Sequence, residues 1–157
     1  PEETFTNPLD IEANAEKGIK PPAIVFFPDK IETKLGEYFL LDVYALELDS
    51  VGGAQIEINY NASSLSVSAV SKGNFFQGGN DPIFVSENNN GKLVIYVTYM
   101  GPEGATVSGT GNIATIAFLA NIRGKTTLTI SDTSVLLDKD ANPIQINGLG
   151  QGVVGAK

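Results

Sequence analysis

The chain has 157 residues, 42% of them hydrophobic, with ten Lys and Arg against eighteen Asp and Glu, a formal net charge of −8. That length and composition suit one domain with a real core, and the acidic balance disfavours nucleic acid and anionic membranes as partners. There is no Cys, His or Trp, which excludes disulfides, thiolate chemistry, Ser-His-Asp and Cys-His catalysis and imidazole-bound zinc.

Apolar runs are only a few residues long, so no membrane-spanning helix is expected. The opening PEETFTNP has no basic, apolar leader and reads as the start of a mature chain. Residues 1–22 are polar, bracketed by prolines and without alternation, so they read as an arm or linker preceding a domain at 23–157. A short helix over residues 11–17 fits there, with Asp10 as N-cap and Gly18 as stop. Phe5, Leu9, Ile11 and Ile19 are its substantial hydrophobes and are expected to dock on the domain or on a neighbouring copy.

From Ala23 the signals are those of strands. AIVFF is a short apolar run ended by Pro28, and EYFLLDVYALEL is a long one over residues 37–48. In GGAQIEINYNASSLSV a two-residue period puts Ala54, Ile56, Ile58 and Tyr60 on one face and Gln55, Glu57 and Asn59 on the other. A turn follows, and Leu65 and Val67 restart the phase. PIFVSE, GKLVIYVTY, NIATIAFLA, TTLTI, SVLLD, PIQI and GVVGAK continue the series. Between them GG, NNNG, GPEG, SGTG and RGK supply turn chemistry. Roughly nine or ten short strands at regular spacing indicate a β-sandwich or barrel. Ile56, Ile58, Leu65, Ile95, Val97, Ile116 and Phe118 are the expected core.

The order of these segments resembles that of cohesin modules, part of the jelly-roll superfamily that also holds carbohydrate-binding modules. GGAQIEINYNASSLSVSAVSKGNF is similar to the cohesin third-strand region, with Tyr60-Asn61-Ala62 in place of Tyr-Asp-Pro, then Leu65-Ser66-Val67 and Gly73. GEYFLLDVYALEL resembles the strand that opens the cohesin barrel, SGTGNIATIAFLA the glycine-led Ala-Thr-Ile-x-Phe strand, and DKDANPIQI a late hairpin. The resemblance covers about residues 23–154. It implies an all-β, nine-stranded antiparallel β-sandwich of jelly-roll topology and a non-catalytic, extracellular or cell-surface module that binds protein, with a dockerin-like module as partner. Dockerin-binding cohesins of the best-studied type tend to carry Asn-x-Asp on the outer face of the third strand. The matching positions here hold Gly53 and Gln55.

The candidate partner-binding face is the outward row Gln55, Glu57 and Asn59, joined by Val94, Tyr96 and Thr98 if the cohesin strand order holds. An apolar centre with a polar rim is how interfaces are built, Tyr is a frequent anchor, and Glu57 would favour a basic partner. The competing reading is an ordinary solvated sheet face. A second candidate is Asp138-Lys139-Asp140-Ala141-Asn142, where Asp138, Asp140 and Asn142 alternate like the start of a calcium loop. Pro143 stands where the loop glycine belongs, so a β-turn is the simpler reading and no cofactor is required. A hydrolytic carboxylate pair would need an acid in a distinctive apolar setting, and none stands out. A carbohydrate-binding module is the rival of another class, but such modules use exposed aromatic platforms. Adjacent Phe75 and Phe76 cannot both face inward on a strand, so one is expected near a loop surface. A structural spacer in a larger surface protein is the remaining alternative.

Overall fold

A computed structural model describes residues 19–76, 80–102 and 105–157. The helix expected over residues 11–17 lies outside the described residues. Two sheets pack face to face. The strands are β1 Ala23–Phe27, β2 Lys30–Thr33, β3 Tyr38–Val51, β4 Gly53–Asn59, β5 Leu65–Lys72, β6 Asn80–Asn88, β7 Lys92–Met100, β8 Val107–Ala120, β9 Gly124–Ile130, β10 Val135–Leu137, β11 Pro143–Ile144, β12 Gly148–Leu149 and β13 Gln151–Ala156. One sheet has five strands in the order β12-β1-β3-β8-β5. The other has eight, running β11-β10-β4-β9-β13-β2, with β7 added to β4 and β6 to β7.

The expected sandwich is present, with more pieces than the nine main strands of the sequence reading. Lys30–Thr33, Pro143–Ile144 and Gly148–Leu149 are pieces of two to four residues that exist because a neighbour offers a ladder. Two of the pairings are parallel: β1 with β12 and β13 with β2. The first segment thus serves both sheets, crossing between them at Pro28 and Asp29.

SGTG is not a turn. It lies inside β8 and carries the ladder with β3 onward to Leu48↔Gly109 and Val51↔Val107. The cause is visible in the bulges of β3. Glu47 and Ser50 have positive φ (46° and 55°). The amide of Glu47 donates to Thr110 Oγ1 at 3.1 Å and that of Ser50 to Ser108 Oγ at 2.9 Å. The hydroxyls of SGTG thus satisfy donors that the bulges remove from the regular ladder.

The core lies between the sheets. Leu41, Val43, Ile116 and Phe118 from the five-stranded sheet meet Ile56, Ile58, Leu93, Ile95 and Leu128 from the eight-stranded one. All seven residues expected inside are buried. Phe75 and Phe76 correct the reading of their pair, since both are buried (6% and 3% exposed). They sit in a turn after β5, not on a strand, so the two-face rule does not separate them. Their rings meet edge to face at 5.0 Å.

That turn depends on Gly73. Its amide donates to Ile113 O at 2.9 Å, and the amide of Phe75 donates to Asn112 O at 2.8 Å. A Cβ on Gly73 would stand 2.2 Å from that same Asn112 oxygen. Gly73→Ala is therefore expected to force the turn off β8 and to cost roughly 1–3 kcal/mol or more. Denaturant unfolding checks this, and an unchanged midpoint would show that the backbone can part there freely.

Candidate partner-binding face

Strand β4 lies centrally in the eight-stranded sheet, with β7 along one edge and β10 and β9 sharing the other. Its inward row, Ala54, Ile56 and Ile58, is buried, which fixes the register and turns Gln55, Glu57 and Asn59 outward. The ladder with β7 sets Gln55 opposite Tyr96, Glu57 opposite Val94 and Gly53 opposite Thr98. The six residues named from sequence therefore share one sheet face.

They do not share one environment. Gln55, Asn59 and Thr98 are exposed and Tyr96 is 36% exposed, but Val94 is only 8% exposed. Val94 points outward between Glu57 and Glu87 on the flanking strands and offers little contact surface. The apolar surface comes instead from residues that the sequence reading left out. β6 pairs Ile83 with Thr98 and Val85 with Tyr96, and Asn80 with Met100. Ile83, Val85 and Met100 are 52%, 49% and 39% exposed. With Tyr96 they form an apolar group on the outer face of this sheet, with Thr98 among them and Gln55 at its edge. In PIFVSE three consecutive apolar residues hide which phase faces out. Pairing that segment with GKLVIYVTY would have revealed it. A cleft of about 350 Å³ opens at the Thr98 end of the face, floored by Gly52, Gly53 and Gly101 beside Leu137.

Glu57 is not the free acidic handle expected from sequence. Its Oε1 lies 3.2 Å from Lys92 Nζ. Its Oε2 accepts from Thr133 Oγ1 at 3.0 Å, while its backbone amide donates to Ser134 Oγ at 3.0 Å and its carbonyl accepts from the Ser131 amide at 2.8 Å. Among the described residues, Glu87 and Asp132 are exposed carboxylates near this end that form no ion pair.

The Asp138 loop is occupied with itself. Asp138 Oδ1 accepts the amides of Asp140 and Asn142, each at 2.9 Å, and Ala141 takes a positive φ of 61°. Alternating oxygen side chains there make an Asx turn that closes the β10–β11 hairpin. Among the described residues no group of three or more acidic side chains converges as a metal site would require.

A family model described as the cohesin domain matches residues 24–152. The chain belongs to the cohesin family. No curated protein matches the sequence, but solved structures do. A non-cellulosomal cohesin from the archaeon Archaeoglobus fulgidus superposes with a TM-score of 0.72 at 18% identity, over 86% of this chain and 90% of that one. The sixth cohesin of scaffoldin B from Acetivibrio cellulolyticus, solved with a dockerin, gives 0.69 at 18% identity over 86% and 98%. A cohesin from Clostridium acetobutylicum gives 0.70 at 20% over 86% and 90%.

In this cohesin the Glu57 cluster also sets a pH dependence. Burial pushes the carboxyl up, but hydrogen bonds from Lys92, Ser131 and Thr133 and the Lys92 charge outweigh it and hold the pKa below its ordinary 4.5. A depressed pKa means stabilisation that is complete above the unfolded value and lost as pH falls through the folded one. Glu57→Gln should therefore lower the melting temperature at neutral pH, and the gap to the parent should close as pH drops below 4.5. A gap independent of pH would show that the carboxylate is not held by Lys92.

Proposed function

We propose that this cohesin is a non-catalytic module of an extracellular or cell-surface protein, and that it docks a dockerin-like partner on the outer face of β4, β7 and β6. The observation that carries this reading is the group Ile83, Val85, Tyr96 and Met100, exposed together on one flat sheet face. Four large apolar side chains on paired strands, with Thr98 among them and Gln55 beside Tyr96, match the mixed apolar and polar surface of a protein interface. Several structural neighbours were solved in complex with dockerins.

The chemistry of the face defines the partner. Gly53 and Gln55 leave the β4 row without a carboxylate at these positions, and Glu57 is already paired with Lys92. Recognition then rests on apolar contact, with steering from Glu87 and Asp132 that favours a partner with a basic rim. A non-enzymatic role is consistent with a chain that lacks His and Cys. An extracellular setting is supported by relatives such as a type II cohesin from a cellulosome.

The test is calorimetric titration with a panel of purified dockerin modules, alongside retention on cellulose and chitin and an assay for new reducing ends. At least one dockerin with an apolar contact surface should bind, with no retention and no hydrolysis. Retention on either polysaccharide without any dockerin binding would replace this reading with a carbohydrate-binding one.

A further inference from the structure

The opposite face of the sandwich carries a second apolar stripe, and only half of it is covered. The outward row of β3 runs Tyr38, Leu40, Asp42, Tyr44, Leu46. At one end Ile19 packs with Ala23, Val25, Leu46 and Tyr44 into a small cluster on the outside of the five-stranded sheet. At the other end Tyr38 and Leu40 are 65% and 63% exposed, higher than any other large apolar side chain among the described residues. Beside them in the ladder stand Leu119 and Ala117, both partly exposed. Two loops border this bare end, tied by the amide of Gly36 donating to Ala120 O at 2.9 Å. They carry Leu35 and Ile122, 43% and 50% exposed, and two cations, Lys34 and Arg123, with one carboxylate, Glu37, beside them. Neither cation is ion-paired among the described residues.

We propose that residues 1–18 of this chain lie across the Tyr38–Leu40 end of the five-stranded sheet. Three observations select this occupant. The first is where the described chain begins. Ile19 is already seated on this face, so close to β12 that a Cβ on Gly148 would stand 2.7 Å from Ile19 Cγ2. The arm therefore enters on the covered half of the same stripe. The second is reach. Eight residues of strand separate Leu46 from Tyr38, about 27 Å, and eighteen residues extend to about 60 Å. The third is chemical fit. The arm has Phe5, Leu9 and Ile11 to cover the apolar patch. Its five carboxylates, Glu2, Glu3, Asp10, Glu12 and Glu16, against the single Lys17 leave a net charge of −4 (5 − 1 = 4) to meet the cations of the border. The arm so placed closes the sheet remote from the partner-binding face, and the inference stands whichever partner that face takes.

The absence of cysteine gives a direct test in the full chain. Thr6→Cys accepts a single nitroxide label, and proton relaxation then reports which residues lie near it. The expected result is selective loss of signal at Tyr38, Leu40, Ala117, Leu119 and Ile122, with Val85 and Tyr96 spared. Adding Phe5→Ser and Leu9→Ser to the labelled chain should restore those signals. Uniform weak broadening, or loss centred on the eight-stranded sheet, would overturn the proposal. So would the same loss in an equal mixture of labelled and isotope-enriched unlabelled chains, because a second copy would then be the occupant.

Discussion

Phe118→Ala is expected to lower stability by ~3–5 kcal/mol. Phe118 is completely buried on β8. Its ring stacks on Phe39 with centroids 5.6 Å apart and meets Tyr60 edge to face at 5.7 Å. Phe39 belongs to the neighbouring strand of the same sheet, whereas Tyr60 closes the end of β4 in the other sheet. Tyr60 is in turn fixed by its hydroxyl, which donates to Asn88 Oδ1. Truncation thus removes the ring through which the two sheets touch at this end, and the hydrogen-bonded Tyr60 is not free to collapse into the hole. Aromatic pairs add about 0.5–1.5 kcal/mol each beyond area burial, which places the loss toward the upper part of the range. Against a total stability of roughly 5–15 kcal/mol for a domain, the variant should remain folded but marginal. Guanidinium unfolding should show a lower midpoint with an unchanged slope. An effect within about 0.5 kcal/mol, typical of surface sites, would mean that Phe118 is not a core residue.

How much of this was legible in sequence depends on how local the cause is. The β4 register could be read because one face of that strand lies on the core, so the two-residue period of Ala54, Ile56 and Ile58 has a single solution. The long strand over Tyr38 to Leu48 and the core positions of β8 were readable for the same reason. What resisted were features set by a partner far along the chain. Lys30–Thr33 pairs with β13, and nothing in KIET announces a strand until Val153–Ala156 lies beside it. SGTG has turn composition, yet its hydroxyls serve bulges some sixty residues away. The Glu57–Lys92 pair arises because the ladder sets Asn59 opposite Lys92. The candidate face was half legible. Gln55, Asn59, Tyr96 and Thr98 followed from alternation, while Ile83, Val85 and Met100 needed the pairing of β6 with β7. Val94 shows the converse, since a residue can point outward and still be covered by its neighbours.

Tyr96→Ala is expected to weaken binding of a dockerin partner by about 2 kcal/mol or more, roughly a 30-fold rise in Kd. Tyr96 stands between Val85 on β6 and Gln55 on β4 and carries the largest side chain of the exposed apolar group. It joins a large ring to a polar tip, it has few rotatable bonds to immobilise, and its backbone is held by ladders on both sides. Those are the properties of an anchor. Tyr96 is 36% exposed and lies outside the core, so its removal should cost the fold far less than a core truncation, and a melting curve of the variant separates loss of contact from loss of fold. The double variant Ile83→Ser with Val85→Ser should act in the same direction, since it strips the neighbouring half of the group. Charge should act differently. Glu87→Lys should slow association and flatten its salt dependence while changing dissociation little. Glu57→Gln should affect binding less, because Lys92 already neutralises that carboxylate. Titration calorimetry and stopped-flow association with the same dockerin measure all four. Unchanged affinity in both Tyr96→Ala and the Ile83/Val85 double variant would remove this face from the binding account, leaving Gln55, Asn59 and Thr98 as the solvated side of a sheet.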